Sequence, residues 1–230
     1  MLQRVAAAVL DVRPDRIVVR RADTAEALRD PGTGGSWVTH VVGRAVHQAA
    51  TKLRERIEVQ IAASEGNATF ESVAEALCRN GDIETVGTYG AEGDDDFSFC
   101  AYAVEVDVDS ATGTVRVVDA VVVCDVAQII NPNGHQGQID GGFAAGIGSA
   151  LMEELAIDES GKVQTLSLGE YKLPTMRDAQ GPFGTKMAGE LSNSGVAPAI
   201  ANAVFDAAGV RIDRFPITSE RVYHALHPEL

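Results

Sequence analysis

Residues 124–148 read CDVAQIINPNGHQGQIDGGFAAGIG, so an apolar run, an Asn-Pro turn and a glycine-dense segment follow one another directly. Residues 131–134 predict a break in the chain, because Asn, Pro and Gly favour turns. After the break, residues 138–155 are predicted to form a helix. Each glycine inside a helix costs roughly 1 kcal/mol relative to alanine. A close neighbour, either backbone or ligand, is therefore needed to explain Gly141, Gly142, Gly146 and Gly148.

Directly upstream of this stretch, the sequence predicts a β-hairpin. Over residues 100–108, valines alternate with acidic residues, which is the period of two that a half-buried strand shows. Residues 109–113 carry a turn signal, and residues 114–124 return as a second strand. The hairpin and the glycine-dense helix would therefore be neighbours in the fold.

Helical spacing of apolar residues recurs on both sides of the hairpin, over residues 2–10, 42–57 and 70–77. A further helix holds Pro198 in its first turn and ends at Gly209. Short strands are predicted at residues 15–20 and from Phe215 onward, the latter followed by a last short helix. Because no repeat or linker is visible, we predict one α+β unit with helices packed on mixed or antiparallel sheets.

Composition and net charge narrow the range of possible partners and functions. The 230 residues carry 33 acidic and 19 basic side chains, a formal net charge of −14. This charge repels phosphodiester backbones and anionic lipids, so no nucleic acid and no membrane is expected as partner. The apolar runs are shorter than the ~20 residues that a bilayer needs, and no signal peptide is visible. Three cysteines without C-x-x-C spacing argue against a disulfide framework and fit a reducing cytoplasm.

The first candidate site is the loop formed by residues 32–39, GTGGSWVT, directly before a predicted helix. Backbone N–H groups at a helix start, together with the hydroxyls of Thr33, Ser36 and Thr39, suit a phosphate or pyrophosphate. The loop lacks the full Walker or dinucleotide spacing. A plain surface turn is therefore the alternative.

Two further candidates are single side chains. The amide of Gln138 could present one acceptor and two donors to the edge of a heterocycle, the alternative being that this helix only packs through its small residues. Glu190 lies on a glycine-flanked loop and could act as a base, the alternative being a solvated surface residue. The five histidines form no helical metal pair, and the cysteines are predicted to be small buried apolar residues, so no metal ligands are predicted.

Together these motifs resemble the molybdopterin-binding large subunit of the xanthine dehydrogenase and aldehyde oxidoreductase family, the molybdenum hydroxylases. GTGGSWVTHVVGRA, residues 32–45, is similar to the family's cofactor loop and following helix. Residues 103–148 resemble its strand, Asn-Pro turn and Gly-Gln-x-x-Gly-Gly helix. GPFGTKMAGE, residues 181–190, with GVAPAIANAVFDAAGVRI, residues 195–212, resembles the segment that carries the catalytic glutamate. The resemblance implies an α+β fold of the molybdenum cofactor-binding domain type.

The resemblance also implies a role for each candidate residue. Glu190 takes the place of the general base, Gln138 hydrogen-bonds the molybdopterin, and Lys186 lies beside the site. The pterin or its phosphate would be lined by Thr33, Gly34, Gly35, Ser36 and Thr39. The implied reaction inserts a water-derived oxygen into an electron-poor C–H bond of an aldehyde, purine or N-heterocycle; carbon monoxide also stays open as a substrate. Whether the pterin carries a cytosine nucleotide is left open.

The family's large subunit extends upstream of the region that matches. We therefore expect residues 1–230 to be its C-terminal molybdopterin-binding domain, a split subunit or a truncation, with little or no activity alone. The rest of the molybdenum subunit, an iron–sulfur subunit and an FAD subunit are the expected partners, because no cluster or flavin motif is present. The alternatives are a non-catalytic structural or assembly subunit, and an unrelated phosphate-ligand domain that uses only residues 32–39.

Overall fold

The computed structural model describes residues 1–20, 23–25, 32–64, 66–79, 81, 83–90, 97–175 and 190–229. The chain packs into two compact units, Met1–Asp95 and Asp96–Leu230, whereas the sequence predicted a single unit. In the sequence, the boundary falls in a short acidic stretch, GDDD at residues 93–96. This stretch has no apolar residue in its sequence, and it is too short to stand out as a linker.

The first unit contains three helices, α1 (Leu2–Leu10), α2 (Gly43–Ala63) and α3 (Phe70–Arg79), which confirms the three helices predicted there. Helix α1 packs against α2. The apolar side chains buried on these two helices are Ala7, Ala50 and Ile57. The apolar faces that the sequence predicts for α1 and α2 are therefore packed against each other.

Residues 83–90, which form no regular secondary structure, lie along α2. The Thr85 hydroxyl donates a hydrogen bond to the Ala49 carbonyl at 2.9 Å. Two residues further on, a Cβ at Gly87 would overlap the carbonyl oxygen of Ala45. The segment therefore needs glycine where its backbone comes closest to the helix.

The second unit is built on the predicted hairpin, which the structure confirms. Strands β1 (Phe99–Asp109) and β2 (Thr114–Asp125) pair in antiparallel register, with a bulge between Glu105 and Val106. One face of the hairpin packs against a helix core, and the burial of both strands alternates accordingly. The alternation of valines and acidic residues in the sequence has the same origin.

Three helices complete this unit: α4 (Pro132–Leu151), α5 (Val196–Ala208) and α6 (Ser219–Leu226). Helix α5 packs on β1 and on α4, and it ends at Gly209 in the left-handed conformation, as predicted. Helices on one face of an antiparallel sheet confirm the α+β class. The buried core consists of Ile147, Ala150, Val196, Ile200, Ala201, Val204, Ile212, Ile217 and Val222.

Helix α4 differs from the prediction at both ends. It begins at Pro132 rather than at residue 138, and it ends at Leu151 rather than at 155. Proline is tolerated at the first helical position, because the N–H that it lacks would have no intrahelical partner there. Asn131 is the extended residue before the helix, and its carbonyl accepts a hydrogen bond from the His135 N–H at 2.8 Å. The Asn-Pro pair therefore starts the helix and does not break the chain ahead of it.

Both short strands predicted from β-branched residues are wrong. Residues 15–20 contain a 3₁₀ turn at Pro14–Arg16 followed by irregular backbone, and Val18 is 80% exposed. Near Phe215 the Ile217 N–H donates to the Ala150 carbonyl at the end of α4, at 2.6 Å. In both places no strand of the described part of the chain pairs with the segment, so β propensity alone does not decide its structure.

Candidate functional site

The predicted cofactor loop, residues 32–39, leads into a helix as expected. It forms a 3₁₀ turn at Gly34–Ser36 and a π-helical turn at Val38–Val42, which continues directly into α2. Gly35 has φ 73°, and a Cβ there would lie 2.8 Å from the Trp37 ring, so this position requires glycine for two reasons. The predicted contact residues of the loop are all exposed: Thr33, Gly34, Gly35, Ser36 and Thr39.

A cationic side chain follows this loop in the first turn of α2. The Arg44 guanidinium donates to the Tyr89 hydroxyl at 2.5 Å and lies over the Tyr89 ring, 5.0 Å from its centroid. The His40 ring meets the same tyrosine edge-on at 5.8 Å. Arg44 therefore holds a positive charge directly after the loop, although no sequence motif marked it as a site residue.

The glycines of α4 serve two different purposes. A Cβ at Gly146 would lie 2.5 Å from the Cβ of Val196, so this glycine lets α5 approach closely. By contrast, a Cβ at Gly137 or Gly141 would have no atom of the described residues within 4 Å, and Gln138 beside them is exposed. Packing between helices therefore explains Gly146, whereas among the described residues it does not explain Gly137 and Gly141.

Glu190 lies at the start of a 3₁₀ turn, Glu190–Ser192, and is exposed. The turn is held against α4, because the fully buried Ser192 donates through its hydroxyl to the Gln138 carbonyl at 3.4 Å. Asn193 closes the turn, with its N–H donating to the Glu190 carbonyl at 3.2 Å. The structure thus brings together the helical turn that carries Gln138 and the turn that carries the candidate base.

Tyr102 on β1 holds the same turn from another side. Its hydroxyl donates to the Leu191 carbonyl, and a Cβ at Gly195 would overlap its ring. Burial, together with a hydrogen bond between Tyr102 and Cys100, raises the pKa of Tyr102 to about 12. Tyr102 therefore stays protonated at neutral pH, and its hydroxyl can donate a hydrogen bond to the Leu191 carbonyl. Glu190 is an exposed carboxylate on a turn that is fixed at its next two residues.

The structure relates some of the predicted site residues to one another and leaves others as predictions. Gln138 and Glu190 lie in the second unit, on turns that the Ser192 hydrogen bond joins, whereas the loop of residues 32–39 belongs to the first unit. Lys186 lies outside the described residues. Tyr102 and Ser192 were missed, although Tyr102 occupies an inward position of the predicted strand where an aromatic hydroxyl needs a partner.

The described residues contain neither a membrane-spanning helix nor a cluster of metal-binding side chains. None of the described helices combines the length and apolar character that crossing a bilayer requires. Within the described ranges, no three His, Cys, Asp or Glu side chains cluster as a metal ligand set would.

Comparison with known proteins identifies the fold and the family. Residues 1–180 match the family model of the molybdopterin cofactor-binding domain. The aldehyde oxidoreductase molybdenum-binding subunit PaoC of Escherichia coli is 31% identical over 258 residues, covering 98% of this chain and 35% of PaoC. The putative xanthine dehydrogenase molybdenum-binding subunit XdhA of the same species is 32% identical over 264 residues, with coverages of 98% and 35%.

Among solved structures, the aldehyde oxidoreductase of Desulfovibrio gigas superposes with a TM-score of 0.81 at 25% identity, covering 98% of this chain and 27% of that one. The chain thus spans about a third of the length of the curated relatives PaoC and XdhA, 35% of each. The resemblance of three ordered motifs is confirmed. The chain belongs to the molybdopterin cofactor-binding domain family, that of the molybdenum-binding subunits of xanthine dehydrogenases and aldehyde oxidoreductases.

Proposed function

We propose that this chain supplies part of the cofactor cradle and the general base of a molybdenum hydroxylase. The observation that carries the proposal is the hydrogen bond between Ser192 and the Gln138 carbonyl, which joins the turn of Glu190 to the glycine-rich half of α4. Because the chain belongs to a family that includes oxidoreductases, the proposal starts from a redox function. The hydroxylation itself, and the role of Glu190 in it, are the proposal.

The residues present fit an anionic, flat pterin cofactor. The hydroxyls of Thr33, Ser36 and Thr39 are exposed on one loop, and hydroxyl and N–H donors bind phosphate oxygens without needing a net positive charge. Gly137 and Gly141 leave room beside the Gln138 amide. Lys186 would add a cation next to Glu190. We assign the loop to the phosphate end of the cofactor and Gln138 to its ring system.

Glu190 is suited to accept a proton. A carboxylate that is exposed, yet carried on a turn fixed through Leu191 and Ser192, can be held at one place while remaining open to a substrate. When bound, the molybdenum cofactor supplies the two-electron oxidation and the activation of a water-derived oxygen. Glu190 would be placed to accept a proton from the attacking oxygen, which is the task of a general base.

The activity belongs to a larger assembly in this proposal. Curated relatives such as PaoC and XdhA are about three times as long as the matched region, and the remaining part would complete the cofactor site. Iron–sulfur and FAD subunits would carry the electrons away. Aldehydes, purines, N-heterocycles and carbon monoxide are the substrate classes to screen, and the cytosine dinucleotide form of molybdopterin is to be tested by analysis of the extracted nucleotide.

The test compares Glu190→Gln with the wild type in the assembled enzyme. We expect the rate to fall by at least ~10²-fold, the lower range for loss of a general base, while molybdenum by mass spectrometry and pterin by fluorescence stay unchanged. Glu159→Gln, at an exposed position of the same unit, is the matched control.

An unchanged rate for Glu190→Gln, with the cofactor still bound, would instead support a non-catalytic structural or assembly subunit. A phosphate-ligand domain would show a different pattern. It would retain its ligand after mutation of Gln138 or Glu190 and lose it only after mutation of Thr33 and Ser36.

A further inference from the structure

Two of the three cysteines meet across the hairpin. Cys100 on β1 pairs directly with Cys124 on β2, and their Sγ atoms are 2.9 Å apart. Both are free thiols and only partly buried. The third, Cys78, is exposed on α3 in the other unit. The expectation that the cysteines are merely small buried apolar residues does not account for this pairing.

The backbone geometry already suits a disulfide. Directly opposed residues of an antiparallel pair have Cα atoms about 4.5–5.5 Å apart, and bridged cysteines have Cα atoms about 4.4–6.8 Å apart. Cys100 and Cys124 therefore need only a small side-chain rotation to bond. No strand has to move, and the register of the hairpin stays as it is.

One of the two thiols can be reached from solvent. An open cavity of about 420 Å³ is lined by Cys100 together with Tyr102, Leu191 and Ser194. A small disulfide can enter such a space. Of the two paired cysteines, Cys100 alone is among the described residues that line this cavity.

We propose that Cys100 and Cys124 form a site of reversible oxidation, a dithiol that a low-molecular-weight disulfide converts to a cross-strand disulfide. This inference does not rest on the proposed function. It adds a modification site next to the turn that carries Glu190, since Cys100 and Leu191 line the same cavity.

The reaction takes two displacements. The Cys100 thiolate attacks one sulfur of oxidised glutathione, which forms a protein–glutathione disulfide and releases one glutathione thiolate. Cys124 then attacks the Cys100 sulfur, loses its proton to solvent and releases the second glutathione. In the balance, two protein thiols are oxidised to one disulfide, and one molecule of oxidised glutathione is reduced to two thiols.

The environment of the two sulfurs fits this order. Burial and the hydrogen bond with Cys100 raise the pKa of Cys124 to about 12, so Cys124 is protonated at neutral pH. Because Cys100 lines the open cavity, an incoming disulfide reaches it first, and the first displacement falls to Cys100. Cys124 is the resolving thiol.

The experiment exposes the full chain, under native conditions, to oxidised glutathione. Acid quenching, blocking of remaining thiols with N-ethylmaleimide and peptide mass spectrometry follow. We expect a Cys100–Cys124 disulfide that dithiothreitol reverses, while Cys78 carries either glutathione or the blocking group. In Cys124→Ser the glutathione adduct on Cys100 should accumulate, because the resolving thiol is gone. Cys78→Ser is the matched control and should still form the bridge.

The same reaction in urea tests whether the folded hairpin is responsible. Bridge formation should slow markedly once the strands no longer pair, since the sulfurs lose their proximity. The proposal would be overturned if Cys100 and Cys124 in the folded wild type are blocked to the same extent as Cys78. A persistent glutathione adduct on Cys100 without bridge formation in the wild type would overturn it equally.

Discussion

The hydroxyl of Ser192 donates a hydrogen bond to the backbone carbonyl of Gln138 at 3.4 Å, across 54 residues of sequence. Ser192 is fully buried, so this bond has no competition from water. It fixes the turn of Glu190 relative to the exposed half of α4. The resemblance to the family makes Glu190 the base and Gln138 a cofactor contact. Ser192, to which the resemblance gives no role, therefore connects the two turns that carry them.

Ser192→Ala should loosen that connection without changing either functional side chain. We expect the free energy of unfolding to fall by about 0.5–1.5 kcal/mol, the net worth of one hydrogen bond. Hydrogen exchange should become faster at residues 190–194. Urea unfolding and exchange mass spectrometry measure the two effects. Ser149→Ala on an exposed face of α4 is the control, and equal losses for the two variants would contradict the structural role of Ser192.

Two glycines of α4, Gly146 and Gly141, allow the part of the helix that packs on α5 to be tested separately from its exposed part. Gly146→Ala places a Cβ 2.5 Å from Val196 at the contact with α5, so we expect a loss of about 1–3 kcal/mol from overpacking. Gly141→Ala meets no atom of the described residues within 4 Å and should stabilise the chain by about 0.5–1 kcal/mol, because alanine favours the helix. Urea denaturation of the two variants gives both values. A stabilising Gly146→Ala would show that α5 is not packed this closely.

The segment at residues 83–90 offers a similar test in the first unit. Gly87→Ala would drive a Cβ into the Ala45 carbonyl, whereas a Cβ at Gly90 meets nothing within 4 Å. We expect Gly87→Ala to detach the segment from α2, with faster hydrogen exchange at Thr88, whose N–H donates to the Gln48 side chain. Gly90→Ala should leave that exchange unchanged. Protection at Thr88 that survives in Gly87→Ala would rule out this packing.

Much of the fold could be predicted from the sequence, because its signals are local. Period-two alternation predicted β1, and the turn after it predicted β2 as the returning strand. Helical spacing predicted α1, α2 and α3 to within a few residues of their observed ends, apart from a longer C-terminal end for α2. Pro132 misled the prediction, since one residue type marks both turns and first helical positions. The false strand at residues 15–20 shows that β-branched residues need a neighbouring strand before they form one.

The site was less predictable, because its connections are long-range. Tyr102 and Leu191 are 89 residues apart, and such a contact leaves no periodic trace in the sequence. The cysteine pair is equally long-range. Counting outward along both strands from the pair Asp109–Thr114 brings Cys100 opposite Val123, and only the bulge between Glu105 and Val106 shifts the register so that Cys100 faces Cys124. The predicted turn at residues 109–113 does not place that bulge.

Tyr102 should make the stability of the chain depend on pH in the alkaline range. Its pKa is raised from 10.0 to about 12, first by burial and then by the hydrogen bond with Cys100. Below about pH 10 both the folded and the unfolded chain keep the phenol proton, so the stabilisation is fully present. Between about pH 10 and 12 the unfolded chain releases that proton while the folded chain retains it. The free energy of unfolding therefore falls as pH rises through this window.

In Tyr102→Phe the free energy of unfolding should fall less steeply over the same pH range. The comparison is made by urea unfolding in a Cys124→Ser background, since Cys124 has a raised pKa that acts in the same direction. Parallel slopes for the tyrosine and phenylalanine chains would show that the Tyr102 proton is not held by the folded structure.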